Sequence, residues 1–194
     1  TAFGFAESVG KTCVSAKDSP GFIVNVLLVP YLLDAIKQYE RGLATREDID
    51  NGMMLGCGHP MGPLRVTDIV WRDIRLHIAE SLHSQLHEPH FEPPAILRRM
   101  VEQGKLGKKS GEGFYKWEKG KPVKDKEAVE GVNLKSLARE LMQPYFDECR
   151  ACLADGIVEN ADALDAGMVF GTGFAPFRGG PLYYLENSKE FDNE

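Results

Sequence analysis

Residues 30–63 read PYLLDAIKQYERGLATREDIDNGMMLGCGHPMGP, and residues 144–181 read PYFDECRACLADGIVENADALDAGMVFGTGFAPFRGGP. The second stretch repeats the first. Pro30, Tyr31, Asp34, Ala35, Gly42, Gly52, Met53, Gly56, Gly58, Pro60 and Pro63 return in order as Pro144, Tyr145, Glu148, Cys149, Gly156, Gly167, Met168, Gly171, Gly173, Pro176 and Pro181. The offset is 114 residues at Pro30 and 115 at Gly52, so one short insertion separates the copies there. A duplicated helical unit tends to bury its apolar face against its twin.

Working outward, Asp18-Ser19-Pro20 is a stop and restart, with Pro20 in a first helical turn and Ser19 or Asp18 able to cap it. Residues 21–39 read as a helix. Phe22, Ile23, Val26, Leu27 and Leu33 leave it little polar surface, so it is mostly buried. Pro30 should kink it or remove one backbone bond, and Gly42 ends it. Thr45 caps a second helix, and Asp48 completes a variant capping box. Residues 56–63 are too rich in Gly and Pro for regular structure and form a tight loop. Thr67 is expected to cap a third helix to about residue 86, with a short helix over 95–103. Upstream, residues 1–19 read as a helix end and an extended stretch at 12–15. In the second copy a long helix spans about 133–155 and a shorter one 160–170. That copy fades past Tyr184, before a third helix.

The fold class is therefore all-α, with at most a short β-ribbon near Phe114 and two homologous helical units packed as an internal pseudo-dimer. The expected domains are a first copy at 1–118, a charged linker without periodicity at 119–132, and a truncated second copy at 133–194.

At 194 residues the chain can hold one substantial core or two small ones. Its 43% hydrophobic content fits a globular protein. A net charge of −6 argues against a nucleic-acid partner. No apolar run reaches the ~20 residues a membrane span needs. No signal or transit segment is seen. Thr1 is not a natural start, so the chain is expected to be a piece of a longer protein.

Cys149 and Cys152 form a C-x-x-C, a spacing that metal and redox sites use. They sit in a helical pattern with no second cysteine pair, so they read as reduced helix-face thiols in a reducing compartment. Of His59, His77, His83, His87 and His90, the last three have near-helical spacing. Pro89, Pro93 and Pro94 break the helix there, and no metal site is expected. Residues 104–113 form a basic, glycine-rich loop. It has neither the Walker order nor a strand–turn–helix context. A structural turn is favoured, and an anion contact stays open. No nucleophile elbow stands out. Asn25 is polar within an apolar helix, and a buried amide left unbonded costs ~1–3 kcal/mol. It can bond backbone freed by Pro30 or face a substrate, and the residues leave both open.

Asp18-Ser19-Pro20-Gly21-Phe22-Ile23-Val24-Asn25, Pro30-Tyr31, Glu47-Asp48-Ile49-Asp50, Pro60-Met61-Gly62-Pro63 and Gly107-Lys108-Lys109-Ser110-Gly111-Glu112-Gly113-Phe114-Tyr115 together resemble the C-terminal domain of L-3-hydroxyacyl-CoA dehydrogenases. The resemblance covers about residues 5–118. The second copy, ending Gly171-Thr172-Gly173-Phe174-Ala175-Pro176-Phe177-Arg178-Gly179-Gly180-Pro181, looks like the duplicated tail of the fatty-acid oxidation complex α subunit.

The resemblance implies a helical fold like the C-terminal domain of 6-phosphogluconate dehydrogenase. It implies oxidation of a 3-hydroxyacyl-CoA to a 3-oxoacyl-CoA in fatty-acid β-oxidation. NAD and a His–Glu base pair would belong to an N-terminal Rossmann domain absent from this chain, so no cofactor is expected here. By resemblance Asn25 is the catalytic-site residue, its amide bonding the substrate oxygen or orienting the His; the substrate-binding residues stay unknown. The implied partners are acyl-CoA, the Rossmann domain, and a thiolase or a second copy. The implied compartment is cytoplasmic in a bacterium and otherwise mitochondrial or peroxisomal. Two departures stand out: Val26 where the family usually has Arg, and Val70-Trp71-Arg72-Asp73 in place of the usual Gly before the Asp. The rival class is a non-catalytic helical assembly module that keeps the fold only for packing. A third reading is a different NAD-dependent dehydrogenase with a helical domain of this shape.

Overall fold

The computed structural model describes residues 1–123 and 132–188, and nearly all regular structure there is helical. The order is α1 (Ala2–Ser8), α2 (Val24–Glu40), α3 (Arg46–Asn51), α4 (Pro63–Val70), α5 (Arg72–Leu86), α6 (Ala95–Glu102), β1 (Lys116–Glu118), β2 (Lys121–Val123), α7 (Leu134–Ala154), α8 (Ala161–Thr172) and α9 (Pro181–Asn187). β1 and β2 form an antiparallel ribbon with Trp117 opposite Pro122.

The centre of the fold is α2 laid against α7. Leu27, Val29, Leu32, Leu33 and Ile36 of α2 are wholly shielded from water, as are Leu141, Met142 and Phe146 of α7. A helix apolar on nearly every side is stable only inside a core. Tyr31 and Tyr145 occupy the same place in the two copies, and their rings meet edge to face at 5.8 Å. His59 and Phe174 are likewise equivalent, and their rings meet at 5.3 Å. Equivalent residues touch each other only at a two-fold axis. The expected internal pseudo-dimer is the architecture found.

A second signature of the repeat is a pair of aspartates. Asp50 accepts hydrogen bonds from the main-chain N–H of Leu64 (2.9 Å) and Arg65 (3.2 Å), at the start of α4. Asp165 accepts them from Leu182 (2.8 Å) and Tyr183 (2.9 Å), at the start of α9. Each carboxylate reaches across its copy to satisfy orphan donors of a helix that begins Gly-Pro. Gly62 and Gly180 leave room for it, since a Cβ at either would stand 2.3 Å from the aspartate.

The copies differ on their outer faces. The positions of Val26, Val29, Leu33 and Ile36 in α2 are filled in α7 by Glu140, Gln143, Asp147 and Arg150, all exposed. In the first copy α2 also packs against α5 and α6. Among the described residues no counterpart of these covers α7, and its outer face is polar.

Several local expectations are corrected. α2 begins at Val24, not at residue 21, because Gly21 (φ 79°) and Phe22 (φ 47°) are left-handed. Neither Asp18 nor Ser19 caps it with a side chain; the Ser19 carbonyl accepts from the Phe22 N–H instead. The Thr45–Asp48 capping box is present, but α3 is short and widens into a π-turn at Gly52–Gly56, lying against α7. Thr67 caps nothing. It is buried inside α4 with its hydroxyl donating to the Pro63 carbonyl at 2.9 Å. One expected helix is two, α4 and α5, divided at Trp71. The second copy does reach a third helix, α9. Within 119–132, residues 121–123 are strand β2, and 124–131 lie outside the described residues.

Candidate functional site

Asn25 sits in the first turn of α2, its main-chain N–H bonded to the Gly21 carbonyl. Gly21 makes that turn possible: a Cβ there would stand 3.0 Å from both the Val26 nitrogen and Leu82. The carboxamide of Asn25 is partly exposed and makes no hydrogen bond among the described residues, to backbone near Pro30 or to anything else. It opens into a groove of about 470 Å³ shared with Val14, Phe22, Val24, Phe170 and Gly171. Phe22 and Phe170 are 58% and 69% exposed, an apolar rim on a free surface.

A second cavity adjoins this one. It measures about 370 Å³ and lies between the copies, walled by Leu28, Tyr31, His59 and Val66 from the first and Tyr145 and Phe174 from the second. Val24 and Gly171 line both spaces. None of its lining residues carries a permanent charge. His59 Nδ1 is 3.5 Å from the Tyr31 hydroxyl, while Nε2 is buried without a partner. Burial lowers its pKa to about 4, so the ring is neutral at pH 7. In the sequence this was one histidine of five in a Gly-Pro loop. Its burial depends on Phe174, far along the chain.

The glycine-rich loop is structural. Asp68, in α4, accepts from the N–H groups of Phe114 and Tyr115 and from the Trp117 indole, all near 3.0 Å. A Cβ on Gly107 or Gly113 would collide with Asp68 at 2.2 and 2.4 Å. The loop cations are engaged: Lys105 pairs with Glu112, Lys109 with Asp73, and Lys108 lies over Trp117.

The remaining candidates hold no reactive group. Cys149 and Cys152 are free and buried; burial pushes the first thiol well up and the second to about 11. His87 ends α5 in a left-handed conformation, and His90 Nε2 lies 3.0 Å from Glu148. Among the described residues no group of three His, Cys, Asp or Glu could hold a metal. Another groove, about 870 Å³, runs between α2 and α7 past Asp34, Glu140, Asp147 and Glu148, an acidic lining that repels an anion. No helix among the described residues is long and apolar enough to cross a membrane. The described residues form no parallel sheet and no Gly-x-Gly-x-x-Gly turn into a helix, the features by which a dinucleotide-binding fold holds its pyrophosphate.

Comparison with known proteins places this geometry. Residues 21–117 match the family model for the 3-hydroxyacyl-CoA dehydrogenase C-terminal domain. A 3-hydroxybutyryl-CoA dehydrogenase of Mycobacterium tuberculosis is 54% identical over 112 residues, which is 57% of this chain and 39% of that protein. The mitochondrial hydroxyacyl-coenzyme A dehydrogenase of Sus scrofa is 49% identical over 114 residues, 58% of this chain and 36% of the relative. The chain thus spans under two fifths to about two fifths of the length of these curated relatives. The crystal structure of a 3-hydroxybutyryl-CoA dehydrogenase from Escherichia coli K12 superposes on 94% of this chain with a TM-score of 0.81, covering 56% of that chain at 21% identity, so the two share the fold of both copies.

Proposed function

The chain belongs to the 3-hydroxyacyl-CoA dehydrogenase family through that C-terminal domain, and on this premise we propose that it forms the substrate-side wall of the active cleft of a longer, NAD-dependent protein. That protein oxidises the 3-hydroxyl of an acyl-CoA to a ketone. The observation carrying this reading is the unbonded carboxamide of Asn25 at the mouth of an apolar-rimmed groove.

Asn25 is the residue that meets the reacting oxygen. Its N–H donates to that oxygen as the alcohol becomes a carbonyl, and a neutral amide suits both uncharged ends of the reaction. Residues 1–118 are the catalytic copy. Residues 133–194 are the cis counterpart of a partner subunit and carry Arg139 at the position of Asn25. The hydride acceptor and the base lie on a dinucleotide-binding domain. The exposed rings of Phe22 and Phe170 fit the docking of such a domain over the groove. A thiolase or a second copy would be further partners. The compartment is the cytoplasm in a bacterium, and the mitochondrion or peroxisome elsewhere.

The test is Asn25→Ala in the full-length protein. Loss of about 100-fold or more in kcat, with KM little changed and the melting temperature held, is expected. Unchanged kcat with a lower melting temperature would make Asn25 a helix-packing residue and favour a non-catalytic assembly module. The 194-residue chain alone should yield no NADH from 3-hydroxybutyryl-CoA.

A further inference from the structure

We infer that the second copy positions Asn25 for the reaction, with Gly171 as the positioning residue acting through Val24; the inference rests on the reading of Asn25 above. The carboxamide of Asn25 makes no hydrogen bond among the described residues, so the turn that carries it sets its place. That turn packs on α8, an element of the second copy. Ile23 and Val24, the two residues before Asn25, lie against Gly167 and Gly171. A Cβ on Gly167 would stand 3.6 Å from Ile23, an ordinary contact. One on Gly171 would stand 2.9 Å from Cγ2 of Val24, closer than carbon atoms pack. Gly171 lies inside α8 without a positive φ, so glycine serves closeness here and not backbone shape.

Val24 cannot step aside cheaply, because a helix leaves valine one strongly preferred χ1 rotamer. A methyl added at 171 therefore pushes the first turn of α2 and α8 apart. Asn25 is then displaced relative to the groove that Gly167, Phe170 and Gly171 help to line. A misplacement of ~1 Å near a reacting centre can cost about 100-fold in rate. The duplication supplies an internal comparison. Gly52 and Gly56, the counterparts of Gly167 and Gly171, face Leu137 and Ala138, the counterparts of Ile23 and Val24. A Cβ on Gly56 would stand 3.0 Å from that of Ala138. The close approach is thus made twice, but it is followed by Asn25 in one copy and Arg139 in the other.

The experiment is a double-mutant cycle on the full-length enzyme with 3-hydroxybutyryl-CoA. Gly171→Ala should lower kcat by about tenfold or more and leave KM within about threefold, the split of an interaction made in the transition state. Gly56→Ala adds the same methyl to the mirrored contact and should leave kcat within about twofold. Val24→Ala loosens the turn and should lower kcat about threefold; the double variant should match it rather than multiply the two losses. Unchanged kcat in Gly171→Ala overturns the inference. So do equal losses in Gly171→Ala and Gly56→Ala, or losses that multiply in the double variant. Val24→Ala adds no atom and keeps the test open if Gly171→Ala fails to fold; unchanged kcat in it overturns the inference as well.

A spectroscopic readout avoids dependence on turnover. The side-chain amide resonance of Asn25 in the isotope-labelled 194-residue chain should move in Gly171→Ala, stay in Gly56→Ala, and in the double variant coincide with that of Val24→Ala. A resonance unmoved in Gly171→Ala overturns the inference. If Asn25→Ala keeps its kcat while the resonance still moves, the catalytic reading of Asn25 falls and the brace between the copies stands. If Asn25→Ala loses kcat and Gly171→Ala does not, only the positioning inference falls.

Discussion

Asp68 and Arg72 are joined by an ion pair at 2.6 Å in which neither side chain reaches water, and the pair spans the break between α4 and α5. Asp68 also holds the Phe114–Trp117 segment, so one carboxylate ties three parts of the first copy together. The guanidinium of Arg72 lies 4.0 Å over the Phe114 ring, and burial lowers its pKa to about 10. Asp68→Asn would leave that cation buried without the carboxylate it is hydrogen-bonded to. A loss of about 3–5 kcal/mol is expected, read from urea unfolding. A loss below about 1 kcal/mol would show the pair to be dispensable.

Trp71, between those two residues, has φ 73° and ψ 127°, a backbone region nearly reserved for glycine. Its ring is offset by a cation–π contact with Lys109 at 4.6 Å. Strain of about 1–3 kcal/mol outweighs a surface cation–π contact of about 0.5–1 kcal/mol. Trp71→Gly should therefore raise the melting temperature, and Trp71→Val, β-branched at positive φ, should lower it. The reverse order would mean that the ring contacts dominate.

For His59 the sign follows from proton counting. Its pKa is about 4 folded against an ordinary value near 6.5, so between these pH values the unfolded chain binds more protons. Stability is lost as pH falls from about 6.5 to 4. Asp50, raised by burial to about 6, acts in the opposite sense over much of the same window, so only a difference isolates the histidine. Relative to His59→Phe, the unmutated chain should lose on the order of 3 kcal/mol between pH 6.5 and 4. Parallel stability–pH curves would show that the imidazole is solvated.

Removing residues 133–194 strips α7 from α2 and exposes Tyr31 and the aliphatic residues around it. The remainder should dimerise through that face or aggregate. Light scattering coupled to size exclusion decides it: a soluble monomer would refute the cis pseudo-dimer.

Of the caps expected from local chemistry, Thr45 with Asp48 is present, while Asp18, Ser19 and Thr67 cap nothing because backbone strain at Gly21–Phe22 and an earlier helix start at Pro63 intervene. What depended on distant partners was hidden. Asp50 and Asp165 bond main chain 14 and 17 residues further on, with no local signal. Both nevertheless stand at one position of the repeat, so aligning the copies more closely would have paired them. Trp71 carries no Gly or Pro to mark a helix break. Asn25 was visible only through resemblance, since a polar residue on an apolar helix fits two roles. The inter-copy cavity needed the contact of His59 with Phe174.

Tyr31 meets Tyr145, and His59 meets Phe174, within one polypeptide. A wall lent by a separate molecule disappears once the solution is diluted past its dissociation constant. Tethered halves face each other at an effective concentration that dilution cannot lower. The cavity wall therefore persists in a single isolated molecule. Fusion also releases the halves from identity. Arg139 stands where the twin has Asn25, and Glu140 where it has Val26, changes that two products of one gene could not make separately.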